Sequence, residues 1–346
     1  AKEINNRLDE IRAMALNIYM EQSAVRDGVT AEEVKGILLG MASGQETLLG
    51  YFRRFIRNFE KRVGINRTVG SLRAYSNAYS HIERFLQAQY KLSDIPFSAL
   101  DRSFIDKYDL YLRTERNLAP GTIINLTVQL KTIVGEAIAD GIITASPFMG
   151  YEPMRPKHVQ KYLTAEELHR IMTTPLHRQT LYHVRDMFLF SCFTGIPYGD
   201  MRLLTKDNLC LAEDGIWWIK SARQKTKIEF EIPLLDLPLQ ILKKYSGTAP
   251  GDKLLPMYCN STLNLYLKEI ARICHIDRPL VFHAGRHTYA TEITLSHGVP
   301  LETVSRMLGH SQIETTQIYA KVTDEKIDAD TKALNRKISE RFSVVI

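Results

Sequence analysis

Along most of the chain apolar residues recur at three- and four-residue spacing, and clear alternation with polar ones is confined to one region. Ile4, Leu8, Ile11, Ala15 and Ile18 sit at helical intervals among charges, so residues 2–22 are expected to form a helix. "TAEE" (residues 30–33) has the Thr-x-x-Glu capping pattern and predicts a second helix ending near Gly40. "MASGQETLLG" then reads as a connection into a helix around residues 51–62. The pattern stays helical to about Pro147. Leu72, Tyr75, Tyr79, Ile82 and Phe85 make one stripe, Ser98 and Asp101 look like caps, and a further helix starts after Pro120-Gly121 and stops at Gly141.

Pro147, Pro153 and Pro156 mark residues 145–162 as a linker. Thr164 and Glu167 open the next domain with a second capping box. Within it "GIWWIKSARQ" and "IEFEIPLL" alternate apolar and polar positions around "KTK", which predicts a β-hairpin. Helices resume at Ser261 and continue through "GRHTYATEITLSHG" and "PLETVSRMLGHSQIETTQIYAKV". The expected organisation is an N-terminal helical segment (1–56), a helical domain (57–150), a linker (151–162), a mostly helical domain with a small antiparallel hairpin (163–323), and a C-terminal helix or tail (324–346). The fold class is mainly α.

Charge adds one hint. The chain of 346 residues carries a formal net charge of +6, and residues 1–56 contribute 7 basic against 8 acidic groups, so the excess lies in the remainder. A basic balance suits a polyanionic partner such as DNA, but many enzymes of this size share it. Arg62, Arg67, Arg73, Arg84, Arg113, Arg116 and Lys131 are spread over the helical domain, where solvated helix faces explain them equally well. Four cysteines (Cys192, Cys210, Cys259, Cys274) show neither a CxxC pair nor metal-ligand spacing. No disulfide framework, metal or cofactor is therefore expected, and a reducing cytoplasm fits. No run has the length of a membrane span or the form of a signal peptide. The chain starts at Ala1 and reads as a fragment whose natural N-terminus lies upstream.

Candidate chemistry gathers in the last domain. "KTK" presents Lys225 and Lys227 in the hairpin turn, and "HAGRHT" puts His283 and Arg286 three apart, on one helix face. "VPLETVSRMLGHSQIETTQIY" reads as helix, Leu-Gly-His turn and a helix capped by Ser311, which alone would pass for a helix-turn-helix reader of DNA. Tyr319 follows His310 by nine residues. Singly, each has an ordinary reading: a solvated turn, a helix surface, a half-buried packing tyrosine. In this order, Lys225, His283-x-x-Arg286, Leu308-Gly309-His310 and Tyr319 resemble the catalytic domain of tyrosine recombinases, and "LGHSQIETTQIYAKV" is especially similar. The resemblance covers about residues 57–330. The N-terminal helices and "CFTG…YGDM" look like integrases of mobile elements such as conjugative transposons.

That resemblance implies a SAM-like helical core-binding domain, double-stranded DNA as substrate, a homotetramer exchanging strands through a four-way junction, and possible accessory DNA-bending or excision proteins. It also implies a 3′-phosphotyrosyl intermediate with a free 5′-hydroxyl, so that rejoining needs neither ATP nor metal. The residue types suit this chemistry. Arg286 can hold two nonbridging phosphate oxygens while staying charged. Tyr319 would be the nucleophile, His283 and His310 would share proton handling and phosphate contacts, and Lys225 would protonate the departing 5′-oxygen. A type IB-like topoisomerase, or a DNA-binding regulator whose catalysis has decayed, would share much of this pattern. The charged segment from residue 324 to 342 is expected to be a helix, docked on a neighbouring protomer or on its own domain.

One letter departs from the family pattern. In "FTGIPYGDM" Pro197 occupies the position of the family's first catalytic arginine, and proline has no donor. Arg223, two residues before Lys225, would share its face of the strand. Arg202 lies five residues past Pro197, about 7.5 Å along a helix axis but turned away. Arg185, beside Asp186, looks like half of a structural ion pair. The ranking is Arg223, Arg202, Arg185, with the remaining possibility that none fills the gap.

Overall fold

The computed structural model describes residues 2–23, 29, 31, 34, 46–154, 161–319 and 324–339. The capping residues Thr30 and Glu33, the middle of the expected linker (155–160) and Lys321 lie outside them. The chain divides into two compact units, Ala1–His158 and Val159–Ile346.

The first unit is helical: α1 (Lys2–Ser23), α2 (Leu48–Glu60), α3 (Val69–Phe85), α4 (Arg102–Thr114) and α5 (Pro120–Ala139). On α1 the helical period is present, but of the expected stripe Leu8 and Ile11 are exposed and Ile18 is buried. The stripe on α3 turns Ile82 and Phe85 into a core shared with Phe104, Tyr108, Leu126 and Leu130. Phe85 is its hub, with ring centroids 5.2 Å from Phe104 and 5.1 Å from Tyr108. Asp101 caps α4 by accepting the Phe104 N–H at 2.7 Å, as expected. Ser98 does not cap; it sits inside a single 3-10 turn, Phe97–Ala99. The start of α2 uses a distant cap: both Asp94 carboxylate oxygens accept backbone N–H groups, of Leu49 at 2.8 Å and Gly50 at 3.0 Å.

The second unit packs helices and a small sheet around one long apolar helix. Its elements are α6 (Ala165–Thr173), α7 (Gln179–Thr194), α8 (Tyr198–Met201), strands β1 (Leu209–Leu211), β2 (Trp217–Ala222) and β3 (Glu229–Pro233), then α9 (Asp236–Lys244) and α10 (Asn260–Ile273). They are followed by α11 (Ala284–Thr288), which runs on as a π turn, α12 (Leu301–Leu308), α13 (Glu314–Gln317) and α14 (Asp324–Ser339). The Thr164–Glu167 capping box is formed at α6. The predicted hairpin is β2–β3, but β1 pairs with its far edge to make a three-stranded antiparallel sheet, a strand too short to show a period of two. The sequence also suggests Ser311 as a helix cap; instead α13 begins later, with Ile313 at its N-cap, so the helix-turn-helix reading loses its second helix. Among the described residues no helix is long and apolar enough to cross a membrane.

Buried Met187, Phe188, Leu189 and Phe190 make α7 the centre of this unit. The small Gly285 on α11 lets that helix approach: a Cβ there would lie 2.9 Å from Ser191 Oγ. The end of α7 and the short α11 are thereby locked to each other.

Candidate active site

The apolar run of α7 has to end, and Thr194-Gly195 ends it. Gly195 takes the left-handed conformation (φ 69°), while Ser191 Oγ donates to Ile196 O at 2.8 Å and stitches the next residue back. This turns the Gly195 carbonyl toward α11, where it accepts Arg286 Nη1 at 2.9 Å. A second helix end does the same. α12 stops at Leu308, Gly309 is left-handed (φ 64°), and Leu308 O accepts Arg286 Nη2 at 2.6 Å. Arg286 is only 3% exposed, and the C-terminal carbonyls of two helices offset its charge. Burial, and then the charge of Arg223, bring its pKa down to about 10, which leaves it cationic at neutral pH.

His310 is held at both ring nitrogens. Arg286 Nη2 lies 2.9 Å from Nε2, and arginine can only donate, so Nε2 is the acceptor. Nδ1 then carries the proton and donates to Thr316 Oγ1 at 2.7 Å. Burial, with Arg286 and Arg223 adding repulsion, pushes this imidazole down to about 4. Tyr319 packs beside it, with ring planes 8° apart and centroids at 6.3 Å. Burial raises the Tyr319 pKa, while Arg286 and Arg223 pull it back. His283, at the N-cap of α11, is likewise driven toward its neutral form by burial and then by Arg286.

These side chains line one cavity of about 820 Å³, together with Arg223 and Lys225 from the β2–β3 turn. Lys161 and Arg278 line it too, and among the described residues no carboxylate does. Lys225 is exposed at the turn, and Lys227 beside it takes a positive φ of 60°. Thus Lys225, His283, Arg286, His310 and Tyr319, drawn from widely separated stretches of sequence, share one positively charged hollow.

Of the three arginines weighed against Pro197, Arg223 lines this cavity. Its Nη1 donates to Leu308 O at 3.0 Å, the same carbonyl that Arg286 uses, so two guanidinium groups converge on one oxygen. Its Nε lies 2.6 Å from Asp200 Oδ2, an ion pair in which the N–H does not line up as a hydrogen bond. Asp200, 5% exposed, also accepts the Gln224 N–H at 2.8 Å and so holds the start of the turn. Gly309 gives Arg223 its room: a Cβ there would sit 2.9 Å from Arg223 Cγ. Arg202 caps α8 and is exposed, not among the lining residues. Arg185 lies over the Tyr182 ring, donates to Met172 O at 3.2 Å and pairs with Asp186. Pro197 is the N-cap of α8 and borders a smaller hollow that reaches His283.

Sequence reasoning overlooked three participants. Asp200 lies far from Arg223 in the chain, and Leu308 O is a backbone atom that no side-chain pattern announces. His287 was hidden by its neighbour Arg286. Its ring stands edge-on to Tyr319 at 5.0 Å and to His283 at 4.9 Å. Burial and then the charges of His283, Lys161 and Arg286 bring it to about 4.

Gly195 supplies a test of how this frame is held. A Cβ at that position would meet Tyr289 Cδ1 at 2.4 Å and Leu308 Cδ2 at 2.8 Å, on a backbone that disfavours L side chains. Gly195→Ala is expected to cost about 2–4 kcal/mol, read as a lower urea midpoint in equilibrium unfolding. An unchanged midpoint would contradict this account of the α7 terminus.

Comparison with known proteins agrees with this geometry. The phage integrase family profile matches residues 161–326, and the phage integrase SAM-like domain matches residues 47–153. The tyrosine recombinase XerD of Listeria monocytogenes serovar 1/2a is 25% identical over 273 residues, covering 74% of this chain and 89% of its own length. XerD of Staphylococcus saprophyticus is 26% identical over 297 residues, covering 82% and 96%. Among solved structures, the fold matches the Tn1549 transposon integrase in complex with transposon right end DNA (TM-score 0.65, 18% identity, 84% of this chain and 99% of that one). It also matches a lambda integrase tetramer bound to a Holliday junction (TM-score 0.67, 16% identity, 89% and 87%). With both of its regions matched in order and the cationic hollow formed around a buried tyrosine, the chain belongs to the phage integrase family and is a tyrosine recombinase.

Proposed function

We propose that this recombinase integrates and excises a mobile element, acting in the cytoplasm as a tetramer on two DNA sites. Tyr319 attacks the scissile phosphodiester and forms a 3′-phosphotyrosyl bond. Arg286 and Arg223 stabilise the charge that grows on the nonbridging oxygens, with His283 as a further phosphate contact and His310 holding Arg286 in place. Lys225 gives its proton to the 5′-oxygen. The observation that carries this reading is the burial of Tyr319 against Arg286 and His310 in a hollow that, among the described residues, is lined by cations and by no carboxylate. Such a hollow favours a monoanionic phosphodiester and the more highly charged transition state that follows from it. Arg223 takes the place of the arginine missing at Pro197, because it faces the same cavity as Arg286 and shares its acceptor.

The test uses a pool of nicked duplexes randomised across the crossover region. Adducts that survive denaturant are recovered and sequenced, and the selected site is then placed on plasmids. Recombination only between paired copies of that site is the expected result. Relaxation of supercoiled DNA by a lone monomer at arbitrary sites would favour a type IB-like topoisomerase. Sequence-specific binding with no adduct would favour the decayed regulator.

A further inference from the structure

The geometry points to His287 as the group that receives the Tyr319 proton during strand cleavage. The inference rests on the proposed function, because it concerns the same nucleophile. A buried phenol must lose its proton before or while it attacks phosphorus, and burial makes that loss harder. The obvious acceptor, His310, is not available: Nε2 already accepts from Arg286, and Nδ1 carries a proton bound to Thr316. His310 is thus built to hold its place. His287 has the opposite character. Its ring makes no side-chain hydrogen bond among the described residues, it lines the cavity, and it stands 5.0 Å from the Tyr319 ring. His283 lies edge-on to it as well, with ring centroids 4.9 Å apart.

The groups facing His287 keep it ready to accept. They are His283 and Arg286 from its own helix, Lys161 from the segment before α6, and Tyr319 across the cavity. With three of them basic, the ring stays neutral and keeps its lone pair. A phosphodiester bound among these cations adds negative charge, which raises an imidazole's affinity for a proton at the step that needs it. The Tyr319 O–H bond breaks and its proton goes to a His287 ring nitrogen; the Tyr319 oxygen bonds to phosphorus; the P–O5′ bond breaks, and the 5′-oxygen takes a proton from Lys225. Rejoining runs the same transfers backward, with the 5′-hydroxyl returning its proton to Lys225 and Tyr319 recovering its own from His287.

Single-turnover adduct formation on the selected nicked duplex tests this, with DNA affinity measured alongside. His287→Phe keeps a flat ring against Tyr319 and removes both nitrogens. It is expected to slow cleavage by about 100-fold or more with binding unchanged. Its rate should climb with pH toward that of the wild type, as hydroxide takes over the proton. Free imidazole should restore cleavage to His287→Ala, which a role in packing alone would not allow. Cleavage by His287→Phe within a few-fold of wild type at neutral pH would overturn the assignment. So would an equal loss at every pH with no imidazole rescue. If the wild-type protein gave no adduct, the proposed function and this inference would fall together; a wild-type adduct with an unaffected His287→Phe removes this inference alone.

Discussion

Tyr319→Phe is expected to abolish the covalent protein–DNA adduct while leaving DNA binding within about twofold of wild type. The substitution removes one oxygen and keeps the ring that lies parallel to His310 and edge-on to His287, so the packing of the α13 segment survives. Tyr319 is 7% exposed, and most of its surface is ring, which Phe buries equally well. The loss should therefore be chemical. Without a nucleophile the phosphodiester meets the same cations but nothing to attack it, and residual strand cleavage should fall by on the order of 10⁴-fold or more. The measurement is a denaturing gel of end-labelled nicked duplex beside a binding titration. An adduct of undiminished yield in Tyr319→Phe would mean that another residue attacks DNA, and the hollow around Arg286 would then need a different explanation. Loss of DNA binding together with the adduct would instead make Tyr319 a structural residue.

How much of this was readable in advance depended on whether a feature is local. Amphipathic periods along α3 and the capping box at α6 depend on residues a turn or two apart, and both were legible. So was the grouping of Lys225, His283, Arg286, His310 and Tyr319 in one cavity, because each sits in a short segment of recognisable pattern, though the segments lie far apart in the chain. Ser98 and Ser311 show the limit of local signals. Each is a good capping type, but the helices begin elsewhere, where Asp101 reaches the Phe104 N–H and where the Gly309 turn leads into α13. Strand β1 exists because β2 offers it a free edge, and three residues carry no period of their own.

The hold on Arg286 was illegible for a different reason. Its partners Gly195 O and Leu308 O are main-chain atoms, presented because two helices end in left-handed glycines. A sequence reveals the glycines and the arginine, but not that both carbonyls point at one guanidinium. The same is true of the Asp200–Arg223 pair, in which the short α8 meets the far end of β2. Pro197 lies three residues before that aspartate, so the loop that lacks the family's arginine supplies the anchor for another one.

Arg223→Ala is the second large effect, and two separate losses have to be disentangled. Removing a fixed donor to a developing oxyanion is expected to lower the cleavage rate by 10²–10³-fold, about 3–4 kcal/mol. It also strands Asp200, 5% exposed, without its cation, and an unpaired buried carboxylate destabilises a fold by about 3–5 kcal/mol. The double variant Asp200→Asn/Arg223→Ala separates the two. Its amide can still accept the Gln224 N–H but carries no charge, so most of the stability should return while cleavage stays low. Arg202→Ala, at an exposed position off the cavity, should cleave at the wild-type rate. Arg185→Ala should lower the unfolding midpoint, because it gives up the Met172 carbonyl and the Asp186 pair, but leave the rate per folded molecule unchanged. Recovery of cleavage in the double variant would show that Arg223 serves only to neutralise Asp200. In that case the site works with one arginine, Arg286, on the phosphate, and the place left by Pro197 is unfilled.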